Sequence, residues 1–178
     1  MAHLWLEESA EQWAVIPLES QRVSLARVHA VASRVRGPRP QQRSSDAYLV
    51  RTSARDRDVW HLLAAPEAAI SVNGLPVLGG LRVLEDRDEI HVAGEDALFY
   101  STEELARIVT MPETEQPMTC PRCRQRVEPG TPAVCCPCCK IWYHQTEALP
   151  CWLYAPFCAF CPQPTPFDTG FRWTPLEL

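Results

Sequence analysis

The chain has no surplus of basic residues and no long apolar run, and its first residues do not read as a secretory leader. Its 178 residues carry 17 Lys and Arg against 22 Asp and Glu, which gives a formal net charge of −5 at pH 7. Proteins that track nucleic-acid phosphates need clustered cations, so we expect no nucleic-acid partner. No apolar run reaches the roughly 20 residues of a membrane helix, and residues 1–8 have no basic start and no long apolar core. These absences predict a soluble, cytoplasmic protein with no membrane partner.

Charge and composition change along the chain. Residues 1–116 contain 12 Arg and no Lys against 18 acidic residues, whereas residues 117–178 contain 5 basic and 4 acidic residues. Between them, residues 112–119 hold prolines and acids that neither continue a helix nor join a core. We therefore predict four segments, which are a first domain (1–111), a linker (112–119), a second domain (120–163) and a tail rich in proline and aromatic residues (164–178).

The last third of the chain holds eight candidate metal ligands in four close pairs. Three pairs are CxxC and the fourth combines a histidine with a cysteine, a pattern that in a reducing compartment indicates metal sites rather than disulfides. A closed structural zinc site needs four such ligands, with sulfur about 2.3 Å from the metal. The set therefore predicts two structural zinc ions with no open coordination position. The ligands are Cys120, Cys123, Cys136, Cys139, His144, Cys151, Cys158 and Cys161.

Spacing alone leaves the grouping of these pairs open. The four pairs could interleave, or they could form two consecutive ribbons in which the first two pairs share one zinc and the last two share the other. The Cys-Cys-Pro-Cys-Cys run at 135–139 is also ambiguous, because Cys135 and Cys138 have the same spacing as Cys136 and Cys139. If Cys136 and Cys139 are ligands, we expect Cys135 to fill buried space, as free cysteines generally do.

The first domain reads as mainly β. Short runs of branched and aromatic residues bounded by turn formers predict strands, and strands at this spacing suggest a sandwich. Asn73-Gly74 predicts a hairpin, because this dipeptide accepts the positive φ angles of a type I′ turn. Residues 21–36 fit either strands or one helix, and 36–45 fit an exposed loop. The predicted strands are 13–16, 47–50, 59–63, 81–84 and 89–92.

One helix is expected after these strands. Residues 101–104 read Ser-Thr-Glu-Glu, which fits a capping box in which Ser101 and Glu104 exchange side-chain and backbone hydrogen bonds. Leu105, Ile108 and Val109 would follow on one face, and Pro112 would end the helix.

The stretch from Trp60 through segments 72–77 and 81–90 to 99–101 resembles the second half of a forkhead-associated (FHA) domain, a β-sandwich family. The resemblance covers roughly residues 1–105. Such domains bind phosphothreonine through a Gly-Arg, a Ser-x-x-His and an Asn-Gly loop. Here no matching Gly-Arg precedes the third strand, Asp46 stands at the histidine position, and Pro66-Glu67-Ala68-Ala69 replaces the loop. The resemblance therefore implies a scaffold with a degenerate phosphopeptide site that docks a target protein. The alternative is a sandwich that only stabilises the neighbouring domain.

Residues 120–161 are similar to RING fingers of the prokaryotic type and, more distantly, to PHD fingers. Only six residues separate Cys151 from Cys158, which favours RING because PHD fingers usually have more. In both families the two sites interleave in a cross-brace. That pattern implies one zinc on Cys120, Cys123, His144 and Cys151, and a second on Cys136, Cys139, Cys158 and Cys161.

The RING resemblance implies a ligase of a bacterial ubiquitin-like conjugation pathway. Such a module binds a carrier (conjugating) enzyme charged with the modifier and orients the thioester for attack by a lysine, without a catalytic side chain of its own. Arg122 stands where an aliphatic residue is usual, and no arginine follows Cys161. The alternative is a non-enzymatic PHD-like or FHA-like adaptor. Carried over by position, the carrier-facing residues are Pro121, Arg122, Trp152, Ala159, Phe160 and Pro162.

Overall fold

The computed structural model describes residues 2–9, 12–36, 47–54 and 57–177. The loop expected at 36–45 lies outside these ranges from residue 37 onward, and so does Asp46. The chain divides into two compact units, Met1–Thr102 with Thr174–Leu178, and Glu103–Trp173. The first boundary precedes residue 111, where we expected the first domain to end, because residues 108–110 pair with a strand of the second unit.

The first unit contains two antiparallel sheets and one helix, α1 (Leu25–Arg36). One sheet has the strand order β2-β1-β10-β9-β6-β7 and the other β3-β4-β5-β8. All five predicted strands are confirmed, and the mainly β class is confirmed with them. The strands are β1 (His3–Ser9), β2 (Gln12–Pro17), β3 (Arg22–Ser24), β4 (Ala47–Ala54), β5 (Arg57–Ala64), β6 (Ile70–Val72), β7 (Leu75–Pro76), β8 (Leu81–Val83), β9 (Glu89–Val92) and β10 (Leu98–Ser101).

Both sheets of the first unit bury alternate side chains in one core, as strands with a period of two residues must when one face is covered. Leu25 and Val28 of α1 pack into the same cluster. Residues 21–36, which fitted strands or a helix, form both, since β3 leads directly into α1. The largest fully buried side chains of this core are Leu4, Leu6, Leu18, Leu25, Leu49, Trp60, Leu62, Ile90, Leu98 and Tyr100.

The Asn-Gly hairpin is confirmed. Asn73 and Gly74 have φ angles of 51° and 75° between the paired strands β6 and β7, as a type I′ turn requires. The Asn73 side chain also donates to the buried Asp88 carboxylate at 2.7 Å and accepts from the Glu89 backbone N–H at 2.8 Å. These bonds fix the hairpin to the start of β9.

The helix predicted from Ser101 is wrong. Ser101 ends β10 opposite His3, and Thr102 donates twice to the Asp86 carboxylate, so the residues of the proposed capping box are held elsewhere. Residues 108–110 are all β-branched and form β11 (Ile108–Thr110), consistent with the preference of such side chains for strands.

The second unit has a small sheet of order β11-β12-β13, with β12 (Pro132–Cys135) and β13 (Trp142–His144). Its core centres on Tyr143 and Trp152, which are fully buried and meet edge to face with ring centroids 5.1 Å apart. Several cysteines are members of the same buried cluster. The core of this unit is therefore continuous with its candidate metal ligands.

Residues 164–173, most of the predicted tail, fold as part of the second unit. Gln163 is buried and donates to the Gly170 carbonyl at 2.7 Å, and the Thr165 carbonyl accepts from the Trp152 indole N–H at 2.8 Å. Gly170 is required here, since a Cβ at this position would lie 2.3 Å from the Pro166 carbonyl oxygen.

An ion pair anchors the end of this segment. The Glu103 carboxylate is buried, and its Oε1 lies 2.6 Å from the Arg172 Nε. Its Oε2 accepts from the Arg172 backbone N–H at 2.9 Å. The start and the end of the second unit are thus joined. Among the described residues, no helix is long and apolar enough to cross a membrane.

Candidate metal centres

The eight predicted ligands lie in two groups of four. Within each group the ligand atoms are all within 4.8 Å of one another, and these are the candidate metal clusters found among the described residues. The first centre is Cys120, Cys123, His144 and Cys151, and the second centre is Cys136, Cys139, Cys158 and Cys161. The membership is that of the cross-brace pattern, and the consecutive-ribbon alternative is wrong. Each centre could hold one metal ion.

Two CxxC turns have the same backbone geometry, one in each centre. The Cys120 carbonyl accepts from the Arg124 N–H, and the Cys136 carbonyl accepts from the Lys140 N–H, both at 2.9 Å. Arg124 and Lys140 have φ angles of 62° and 60°. A residue in this left-handed region reverses the chain while the two sulfurs stay on one side. This repeated turn places the register of the 135–139 run on Cys136 and Cys139.

The histidine of the first centre is oriented by a backbone carbonyl. His144 Nε2 lies 2.9 Å from the Arg126 carbonyl oxygen, which can only accept, so Nε2 carries the proton. Nδ1 keeps its lone pair and lies 3.3 Å from Cys123 Sγ, inside the first centre. Metal-ligating histidines ordinarily have such a partner on their second nitrogen, because it fixes the tautomer and the ring plane.

Tyr143 supports the second centre, a role that the sequence analysis missed. Its buried hydroxyl accepts from the Ala159 backbone N–H and lies 2.9 Å from Cys158 Sγ. Burial and the neighbouring Cys158 raise the pKa of Tyr143, so the hydroxyl stays protonated and donates to the sulfur. An aromatic residue directly before His144 was the available signal, but nothing in the sequence showed that its ring turns toward the other centre.

The thiols of each centre differ in their tendency to ionise. Burial raises the pKa of Cys120, but backbone N–H groups, with that of Cys123 foremost, bring it down to about 6. Burial and the charge of Cys120 raise the pKa of Cys151 to about 12. In the second centre, burial raises the pKa of Cys158, but hydrogen bonds to its sulfur, with that of the Tyr143 hydroxyl foremost, together bring it down to about 7. Burial raises the pKa of Cys136.

The difference between the pKa values of the thiols within each centre fits a site for a divalent cation. Thiolates crowded within a few ångströms repel one another, so ionisation of one opposes ionisation of the next. A bound cation removes that conflict, since the thiolate is the ligand form of cysteine. Sulfur and imidazole donors in sets of four suit a tetrahedral, borderline-soft metal.

Two cysteines belong to neither centre. Cys135, expected to be buried filler, is half-buried, and burial raises the pKa of its thiol. Cys138 is exposed, with its Sγ 3.7 Å from Arg172 Nη1. Neither completes a set of four.

The predicted carrier-facing residues are divided between surface and core. Ala159, Phe160 and Pro162 are exposed, and Pro121 and Arg122 are half-buried. Trp152 is different, because it is 0% exposed. Its ring packs on Tyr143 and its N–H is bonded to a carbonyl, so its placement on a partner-facing surface was wrong.

Arg122 joins the first CxxC turn to a second loop. Its guanidinium donates to the Phe157 carbonyl and lies 5.8 Å from the Tyr143 ring and 5.9 Å from the Tyr154 ring. The sequence showed Arg122 only as a departure from the usual aliphatic residue. The structure shows that it connects two parts of the unit.

Most of an exposed apolar group in the segment between Cys151 and Cys161 was not predicted from the sequence. Only one of its four members, Phe160, was named in advance. The signals in the sequence for the others were weak, because an apolar residue between two metal ligands fits a small core as well as a surface. The members are Leu153, Tyr154, Phe157 and Phe160, which are 47%, 81%, 54% and 67% exposed.

No protein-family model matches the chain, and neither a curated protein nor a solved structure matches it at a level that would establish a relationship.

Proposed function

We propose that this protein is a RING-type ligase for ubiquitin or a ubiquitin-like modifier, acting in a bacterial conjugation pathway. The first unit would be an FHA-like scaffold that recruits the target, and the second a cross-brace RING-like module that binds a charged carrier enzyme. The observation that carries the proposal is the interleaving of the two sets of four ligands together with the exposed apolar group beside them.

Zinc is the metal that we propose for both centres. Three cysteines and His144 would hold one ion, and four cysteines would hold the other. With four protein ligands each, both ions would be fully coordinated, so they would brace the fold. The reaction would then depend on the chain's surface residues.

The surface that would bind the carrier is formed by two turns. The first CxxC turn contributes Pro121 and Arg122, and the last contributes Ala159 and Phe160. The Arg122–Phe157 hydrogen bond holds these turns side by side. Aromatic side chains and arginine are enriched in the energetically dominant part of protein interfaces.

The catalytic effect would come from orientation. The module would restrict the carrier's thioester to conformations that an incoming lysine amine can attack. The amine nitrogen would form an amide bond with the carbonyl carbon, the C–S bond would break, and the carrier thiol would leave. Holding reactants in such geometry accelerates a reaction without any proton-transferring group on the ligase.

A lysine-discharge assay tests this proposal. The metal-loaded protein should speed the loss of modifier from a charged bacterial carrier to free lysine, and Phe160→Ala should slow this step at least severalfold. Leu75→Ala is the matched control, because Leu75 is 64% exposed but lies in the first unit. It should leave the rate unchanged.

The adaptor hypothesis makes the opposite prediction. If no carrier encoded near this gene is discharged faster, while Phe160→Ala still abolishes binding to some peptide or protein, the ligase proposal is wrong and the adaptor is correct. Trp152→Ala is unsuitable for this assay, because loss of a fully buried side chain would disturb the whole unit.

A further inference from the structure

The outer face of the four-stranded sheet carries rows of apolar side chains, although the solvent face of an antiparallel sheet is ordinarily polar. In the strand register, Tyr48 lies opposite Leu63, and Leu63 lies opposite Leu81. Leu62, next to Leu63, is buried in the core. Since neighbouring side chains alternate between faces, this row of three residues lies on the outer face.

A second row runs beside the first. Val50 lies opposite His61, and His61 lies opposite Val83. Both rows cross β4 and β5 and end at β8, where exposure is greatest: Leu81 and Val83 are 55% and 48% exposed. The rows are therefore open at the β8 side.

The opposite end of the rows is covered by polar groups. Across β3, Ser24 lies opposite Tyr48 and Arg22 lies opposite Val50. The Arg22 guanidinium stacks over the Tyr48 ring, 3.8 Å from its centre. In the part of the chain that the structure describes, β8 is the other edge strand of this sheet. A partner strand could therefore extend the apolar rows at β8 but not at β3.

The backbone of β8 offers hydrogen bonds in the same direction. Leu84 N–H donates to the Trp60 carbonyl at 2.9 Å, and bonded residues alternate along an antiparallel pair. Arg82, two residues before Leu84, therefore directs its N–H and C=O toward β5. Leu81 and Val83 direct theirs outward, away from the sheet.

Arg82 decides which strand can pair there. Its side chain is exposed and lies between Leu81 and Val83, on the other face. Two copies of β8 could pair antiparallel so that both rows continue from one copy into the other. Arg82 of one copy would then lie directly opposite Arg82 of the other. Like charges in that position are destabilising, whereas a carboxylate is attractive.

We propose that β8 is a docking edge for an extended segment of a partner protein with the pattern apolar–acidic–apolar. The two apolar side chains continue the rows that end at Leu81 and Val83, and the acidic side chain faces Arg82. Backbone hydrogen bonds to an edge strand supply affinity in this mode, and alternate side chains supply specificity.

The test uses the full, metal-loaded chain and a blocked peptide centred on Val-Glu-Val, with a Val-Lys-Val peptide as its matched control. Titration followed by amide NMR should give saturable shifts at residues 81–83. The amides of Leu81 and Val83 should become protected from exchange, whereas that of Arg82, already bonded to β5, should not change. We expect the lysine peptide to bind about two- to fivefold more weakly.

Two variants separate charge from backbone pairing. Arg82→Glu should reverse the preference between the peptides. Val83→Pro removes an outward N–H but no bond to β5, so it should abolish binding of both peptides while the amide signals of β4 and β5 persist. Equal binding of the peptides, protection elsewhere in the chain, or peptide-free dimers that Val83→Pro dissociates would each overturn the proposal.

Discussion

The two units differ in what holds them together. The first unit buries a continuous set of large aliphatic and aromatic side chains from two sheets and a helix. The second buries few large apolar side chains beyond Tyr143 and Trp152, and its candidate metal ligands are members of its core. A small domain that cannot bury enough apolar surface needs a further brace. Metal should therefore matter to the stability of the second unit only.

Metal removal is the largest expected effect. A strong chelator should unfold the second unit and leave the first folded, because structural zinc contributes on the order of 10–16 kcal/mol to small metal domains at neutral pH. Amide exchange should show loss of protection at Val134 and Tyr143 but not at Leu49 and Leu62. Elemental analysis of the untreated protein should find two zinc ions per chain.

Paired cysteine variants sharpen this test. Cys136→Ser should lower the zinc content to one per chain, and Cys135→Ser, which changes a neighbouring cysteine outside both centres, should leave two. Equal loss in both variants would contradict the grouping of ligands, and simultaneous unfolding of both units by the chelator would contradict the contrast between them.

Trp152→Ala should give the next largest effect. Removing a fully buried tryptophan leaves a cavity and an unused carbonyl at Thr165, and such truncations cost about 3–5 kcal/mol. Urea unfolding of the second unit measures the loss. Tyr154→Ala is the matched control, since Tyr154 is 81% exposed and should change stability by less than about 0.5 kcal/mol. Similar costs for both variants would show that Trp152 is not a core residue.

The smallest effect concerns pH and the first unit. Burial lowers the pKa of His29 below its ordinary value near 6.5, against the opposing charges of Glu95 and Asp96. The unfolded chain therefore binds more protons at this site, so stability should be full above about pH 6.5 and should fall as the pH drops toward the lower folded pKa.

Urea unfolding of the first unit between pH 7.5 and 5 measures this dependence. His29→Gln should flatten the curve, whereas His91→Gln, at an exposed histidine of the same unit, should not. A curve that His29→Gln leaves unchanged would show that another group causes the acid sensitivity.

Local patterns predicted local structure well. Asn73-Gly74 forms its turn because the dipeptide itself accepts positive φ angles, and the predicted strands form where branched residues alternate. The same local reasoning failed after Ser101. A capping box describes what four residues can do for one another, but pairing of Ile108–Thr110 with β12, more than twenty residues later in the chain, decided the outcome.

The candidate site shows the same division. Paired spacing identified eight ligands, because two sulfurs separated by two residues can converge on one metal whatever surrounds them. Spacing left the grouping open, and the cross-brace came only from a family resemblance. Residue spacing also could not show that Trp152 is buried and Tyr154 is exposed, since both aromatic residues lie within three positions of the ligand Cys151.

The sequence by itself determined the Asn-Gly turn, five of the ten strands described in the first unit and the identity of the ligand residues, because each depends on neighbours along the chain. Only the tertiary structure decided which pairs share a centre, that Tyr143 supports Cys158, that Arg122 joins two turns, and that apolar rows end at β8. Those contacts join residues far apart in the sequence, and their energies depend on distances in space that residue spacing along the chain does not give.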